Sequence, residues 1–113
     1  MIFGKSRSFG VYACVLVPPS IDRTDLVLAP TVVVNASVAL ACPVFGLPPP
    51  DVVWYKNGRR IDFAQQQHLY TDQGGQRLVV MAATTDDSAI YVCNASSEAG
   101  RDSLAYQLRV HGE

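Results

Sequence analysis

Apolar and polar positions alternate along this chain in short runs separated by proline and glycine. The clearest run is the last, where Leu104, Tyr106, Leu108 and Val110 alternate with Ala105, Gln107, Arg109 and His111. A period of two belongs to an extended strand with one buried face, because successive side chains project to opposite sides. The first four are therefore predicted to point inward and the second four outward. By the same pattern Val38, Leu40 and Cys42 share one side, with Ser37, Ala39 and Ala41 opposite. Val52, Trp54 and Lys56 alternate with Val53 and Tyr55, while Leu78 and Val80, then Tyr91, Cys93 and Ala95, are predicted to face in. Breaks fall at Pro18-Pro19, Pro30, Pro43, Gly46 to Pro50, Asn57-Gly58, Gly74-Gly75 and Gly100. Many short strands between regular turn signals predict an all-β sandwich or barrel. Asn57-Gly58 predicts a tight turn, since both residues tolerate positive φ, and Gly74-Gly75 does the same ahead of the Leu78 strand.

Trp54 stands 12 positions after Cys42, and Cys93 stands 51 positions after it. The stretch Asp87-Ser88-Ala89-Ile90-Tyr91-Val92-Cys93 follows the second half of the same pattern. Together these residues resemble an immunoglobulin domain of the I-set kind, over Pro18 to His111. The resemblance implies an immunoglobulin-like β-sandwich of two antiparallel sheets, clamped by a Cys42–Cys93 disulfide with Trp54 beside it. It also implies a core around Leu40, Cys42, Trp54, Leu78, Tyr91 and Cys93. Tyr91 takes the place of the tyrosine whose hydroxyl bonds back to nearby backbone. Asp87 would open that corner, accepting backbone N–H groups or pairing with a cation such as Arg77. Ala89 stands where the family usually has glycine. Closing a loop of about 52 residues is worth about 4 kcal/mol on chain-entropy grounds. The alternative is a pair of reduced core thiols, as in muscle immunoglobulin domains.

Finer details are similar to the repeat arrays of hemicentins, which are extracellular-matrix proteins. They are Pro18-Pro19-Ser20-Ile21, Cys42-Pro43-Val44, Gly46-Leu47-Pro48-Pro49-Pro50, Trp54-Tyr55-Lys56-Asn57-Gly58, Ala99-Gly100 and Leu104 to His111. Neural adhesion molecules and peroxidasins share the same elements more loosely.

With 113 residues the chain has room for one domain, and 49% hydrophobic against 17% charged residues lets it bury a core. A net charge of -1 with scattered Lys and Arg excludes the basic field that nucleic acid or an anionic membrane demands. No apolar run approaches the roughly 20 residues that would insert this segment into a bilayer. The third cysteine, Cys14, lies in Gly10-Val11-Tyr12-Ala13-Cys14, which repeats the small–aliphatic–Tyr–aliphatic–Cys order of Ala89 to Cys93. Residues 1–17 are accordingly expected to be a remnant of a preceding repeat, with 18–113 the immunoglobulin-like domain. A poor signal-like segment, with Lys5 and Arg7 ahead of Phe9 to Val17, is the rival reading.

Asn35-Ala36-Ser37 and Asn94-Ala95-Ser96 both satisfy N-x-[ST]. Asn35 is expected on an open turn and occupied. Asn94 is expected outward beside Cys93, where a glycan would send any partner to the opposite sheet or to a domain end. Catalysis finds no support. His68 and His111 sit in no zinc or nucleophile motif and read as surface residues on strands. Asp86 reads as a solvated turn, Ser96-Ser97 has no base nearby, and Asp22 with Asp25 lacks the ligand density of a calcium site. The sequence implies no cofactor and no metal. Tyr55, Phe63, His68 and Tyr70 are candidate interface aromatics, or else cover the sandwich edge. The expected function is an extracellular, non-catalytic repeat of a longer array, mediating cell–matrix or cell–cell adhesion. Its expected partners are neighbouring immunoglobulin repeats and matrix or cell-surface proteins. A ligand-binding ectodomain of a cell-surface receptor is the alternative.

Overall fold

A computed structural model describes residues 15–112; the Gly10–Cys14 motif and all but the last three of the residues 1–17 read as a remnant lie outside the described residues. Among the described residues ten strands follow one another: β1 (Val17–Ile21), β2 (Thr31–Val33), β3 (Val38–Ala41), β4 (Val44–Leu47) and β5 (Asp51–Lys56). Then come β6 (Arg59–Arg60), β7 (Leu69–Asp72), β8 (Arg77–Val80), β9 (Ala89–Ser97) and β10 (Gly100–His111). One layer is a five-stranded sheet in the order β2-β10-β9-β5-β6. The other consists of β3-β8-β7 and the pair β1-β4. The chain passes between these two pairings at Cys42 and Pro43. Cys42 N–H still bonds the Gln76 carbonyl at 2.7 Å, whereas the Pro43 carbonyl accepts from Asp22 N–H at 2.8 Å.

The period-two expectation is met closely in β10, whose Leu104, Tyr106, Leu108 and Val110 are buried and whose intervening residues are exposed. Leu40, Cys42, Trp54, Leu78, Val80, Tyr91 and Cys93 join them in one core, with Ile21, Ile61, Leu69 and Ala83. Each large apolar side chain taken fully from water contributes about 1.5–3 kcal/mol. Val79 departs from the alternation: it points outward yet is buried, standing between Ala39 and Tyr70 on the flanking strands. The sheets are antiparallel except where β2 joins β10 in parallel, Thr31 to Val33 beside Arg109 to His111. That exception arises because the chain leaves β1 in one layer and crosses to the other before forming β2. Asn57-Gly58 makes the β5–β6 turn with φ of 51° and 84°, as its composition demands. Gly74-Gly75 sits in a short 3-10 turn (Gln73–Gly75) at φ 68° and 89°.

Candidate functional site

The corner before β9 is built on one buried carboxylate. Thr85–Asp87 forms a 3-10 turn in which Asp87 Oδ2 accepts the Thr84 backbone N–H at 2.9 Å, and Tyr91 Oη–H donates to the Asp87 carbonyl at 2.7 Å. Asp87 is 1% exposed. Its other oxygen lies 2.7 Å from His68 Nε2 and 3.8 Å from Lys56 Nζ. Burial pushes this carboxyl up, but the hydrogen bonds from His68 and Thr84, with the charges of His68 and Lys56, outweigh it and hold the group below the ordinary value. Burial raises the Tyr91 hydroxyl, and the Asp87 charge adds to it. The expected cation Arg77 is elsewhere: it pairs with Asp72, Nε at 2.9 Å and Nη2 at 2.6 Å, because the two are direct cross-strand neighbours in β7 and β8. His68 is likewise not on a strand but in the turn that leads into β7.

Between the sheets, Cys42 and Cys93 are joined by a disulfide with Cα atoms 6.4 Å apart. Trp54 is 2% exposed beside it, stacks on Tyr106 with centroids 6.5 Å apart, and donates its indole N–H to the Gly75 carbonyl at 2.7 Å. Leu78 is fully buried against this cluster. A buried indole needs such an acceptor, and a 3-10 turn that tips a carbonyl inward supplies one.

The four candidate aromatics do not form one patch. Phe63 lies with Trp54, Ile61 and Thr71 around a small opening at the sandwich edge. Tyr70 faces out from β7, on the opposite sheet from Tyr55, and His68 is spent on Asp87. Asn35 is exposed on the turn between β2 and β3 at φ 76°, its N–H bonded to the Ala83 carbonyl. Asn94 opens into a groove of about 370 Å³ on the outer face of the five-stranded sheet, with Tyr55, Val92, Arg101, Asp102 and Ser103. One wall of the groove is fixed by Arg23. Its guanidinium binds both Asp102 oxygens, at 3.1 and 3.2 Å, and the carbonyls of Ile21 and Ser103. Asp102 also accepts Ile21 N–H, so a side-chain clamp ties β1 to β10. Hydrogen bonds from Arg23 and then from Ile21 N–H hold the Asp102 carboxyl down at about 2.

Chemically, His68 with Asp87 has the form of an oriented base, but Ser88, the hydroxyl next to Asp87 in sequence, is bonded to the Val110 backbone instead. Among the described residues no group of three His, Cys, Asp or Glu side chains is arranged to hold a metal ion. No helix among them is long and apolar enough to cross a membrane. The clamp, the Gly75 acceptor and the His68–Asp87 pair join residues far apart in sequence, so no local motif announces them.

The poles of the sandwich are set by β10. A Cβ on Gly100, at its start, would lie 3.5 Å from Pro18, so the chain enters at that pole. It leaves at His111, the other end of a twelve-residue strand, roughly 36 Å away at 3.3 Å per residue.

The family description "Immunoglobulin I-set domain" matches residues 25–110. Hemicentin-1 of Mus musculus is 39% identical over 94 residues, covering 83% of this chain and 2% of hemicentin-1. Hemicentin-2 of Mus musculus is 40% identical over 97 residues, covering 85% of this chain and 2% of that protein. Neural cell adhesion molecule 1 of Gallus gallus is 30% identical over 108 residues, 95% of this chain and 10% of the relative. The chain thus spans only a small fraction of the length of these relatives. Among solved structures, the complex of titin M10 with obscurin-like 1 superposes with a TM-score of 0.74 at 31% identity, over 86% of this chain and 97% of that one. The titin Z1Z2 domains in complex with telethonin give 0.75 at 28% identity, over 87% and 49%.

Proposed function

Because this chain belongs to the immunoglobulin I-set family, we propose that it serves as one repeat of an extracellular array that attaches cells to matrix or to one another by protein–protein contact. A shared fold does not choose a ligand, so the reading has to rest on this chain's own geometry. The observation that carries it is the placement of the two poles: the chain enters beside Gly100 and leaves at His111, at opposite ends of β10. A domain threaded end to end adds its full length to an array, where a domain with adjacent ends would hang from it. At the first pole Pro18-Pro19 belong to β1 itself, with Pro19 packed against Gly46, so the chain is held in extended backbone from the edge of the sandwich inward. The similarity to hemicentins and to a neural cell adhesion molecule supports the same role.

On this reading the repeat presents a folded surface and performs no reaction. Residues 18–113 form the repeat, Cys42–Cys93 is a structural disulfide of the exported protein, and Asn35 carries a glycan on its exposed turn. The test uses the parent protein, alkylated on extraction and digested without reduction. Expected are a Cys42–Cys93 cross-linked peptide and a sugar-bearing Asn35 peptide. A surface coated with the parent array should then retain cells or matrix protein, and lose retention when this repeat is deleted. Free thiols at Cys42 and Cys93 with unmodified asparagines would leave the fold intact and overturn the extracellular role.

A further inference from the structure

The groove beside Asn94 has two unlike walls. Strand register explains why. Tyr55 is paired with Val92, and Asn94 with Val53 on one side and Ser103 on the other, so all of these project from the same face. Tyr55 and Val92 make one wall aromatic and apolar, whereas Arg101, Ser103 and the backbone of Asp102, whose carboxylate turns the other way toward β1, make the other polar. The polar wall is held before anything binds, since Arg23 fixes Asp102 and the Ser103 carbonyl. Pre-organisation of this kind removes an ordering cost from whatever occupies the groove. Asn94 is partly buried at the groove. Asn57, by contrast, has its side-chain oxygen engaged by the Ile90 N–H. The volume, about 370 Å³, falls at the small end of the range of roughly 300–1,000 Å³ that encloses small ligands.

We infer that the groove is the seat of this chain's own sugar: Asn94 carries an N-linked oligosaccharide whose first N-acetylglucosamine lies against Tyr55, within reach of Arg101 and Ser103. A pyranose has an apolar face of ring C–H groups and a polar rim of hydroxyl and acetamide groups. The two walls match these two sides, an aromatic ring offering apolar area and the charged wall offering hydrogen bonds. The modification needs a polyprenyl-diphosphate-linked oligosaccharide. The Asn94 amide nitrogen forms a bond to the sugar C1, the C1–O bond to the diphosphate breaks, the lipid diphosphate leaves with that electron pair, and the amide loses one proton to a base. Seated there, the sugar covers the strip of Val53, Tyr55 and Val92, leaving the outer face of β3-β8-β7 and the poles for protein partners.

This rests on the extracellular reading, and a separate experiment tests it. The chain, with a secretion leader, is expressed in a glycosylating eukaryotic host and treated in its native state with peptide N-glycosidase, release being followed by glycopeptide mass at each asparagine. Expected is a modified Asn94 whose glycan is released at least about tenfold more slowly than that of Asn35, the difference vanishing after denaturation. Tyr55→Ala should bring the two rates together while the Cys42–Cys93 cross-link and the β-sheet circular dichroism persist. Ser96→Ala should abolish the Asn94 sugar alone. An unmodified Asn94, equal native rates, or protection unaltered by Tyr55→Ala each overturns the seat. The extracellular role is judged independently, by the cross-link in the parent protein.

Discussion

Asp87 shows how much one buried carboxylate can organise. Its oxygens satisfy the Thr84 N–H, His68 and Lys56, while its own carbonyl receives the Tyr91 hydroxyl. Tyr91→Phe keeps the ring and strands that carbonyl in the core, which should cost about 1–3 kcal/mol, read as a lowered urea midpoint at unchanged slope. Asp87 and Asp102 are both held below the ordinary carboxylate value, Asp102 at about 2. The unfolded chain therefore takes up protons first as pH falls. Their contribution to stability is complete above roughly pH 4 and is lost between there and about pH 2. Urea titrations across this window should show the loss, and Asp87→Asn should flatten its share. The Asp87–Tyr91 pairing is legible because its members are four residues apart in a recognisable run. The choice of His68 and Lys56 over Arg77 is not, because those two arrive from the turn before β7 and from β5 through packing. The Arg77–Asp72 pair was within reach of sequence, since the Gln73–Gly75 turn sets the two directly opposite.

β10 and the β5–β6 hairpin were readable as elements because alternation and an Asn-Gly turn are local signals. β4 was not: the stretch Gly46 to Pro50 reads as a turn cluster, yet Val44–Leu47 forms a strand against β1. What makes the strand is a close approach. A Cβ on Gly46 would stand 3.1 Å from Pro19 Cα and 3.2 Å from the Val17 carbonyl. Glycine inside a strand often marks such contact between backbones. Gly46→Ala should force β1 away and cost about 1–3 kcal/mol, with faster exchange of the Asp22 N–H that bonds the Pro43 carbonyl as the local signature. Conversely, the Arg23–Asp102 clamp secures β1 from the other layer, and across a sequence separation of 79 nothing signals it. For the groove beside Asn94, the sequence supplies the sequon and the outward direction; its walls exist only once β5, β9 and β10 are in register.

The two layers are held by their shared core and by Cys42–Cys93, which closes the whole chain between β3 and β9 into a ring. Replacing both cysteines by alanine should lower stability by about 4 kcal/mol, measured by equilibrium denaturation, with the strands retained if the remaining core suffices. The order of those strands has a mechanical consequence. β2 runs parallel to the end of β10, and the chain enters and leaves at opposite poles. In the proposed array, tension would therefore slide β2 and β10 past each other, loading together the bonds from Val34 N–H to the His111 carbonyl, Arg109 N–H to Pro30 and Gln107 N–H to Leu28. Bonds in shear share the load, whereas bonds at a zipper's end break singly. Should the sandwich yield, the ring between Cys42 and Cys93 cannot lengthen, and only the segments outside it can extend. An oxidised repeat is thus a spring with a hard stop, and a reducing environment would convert it into a longer and softer one.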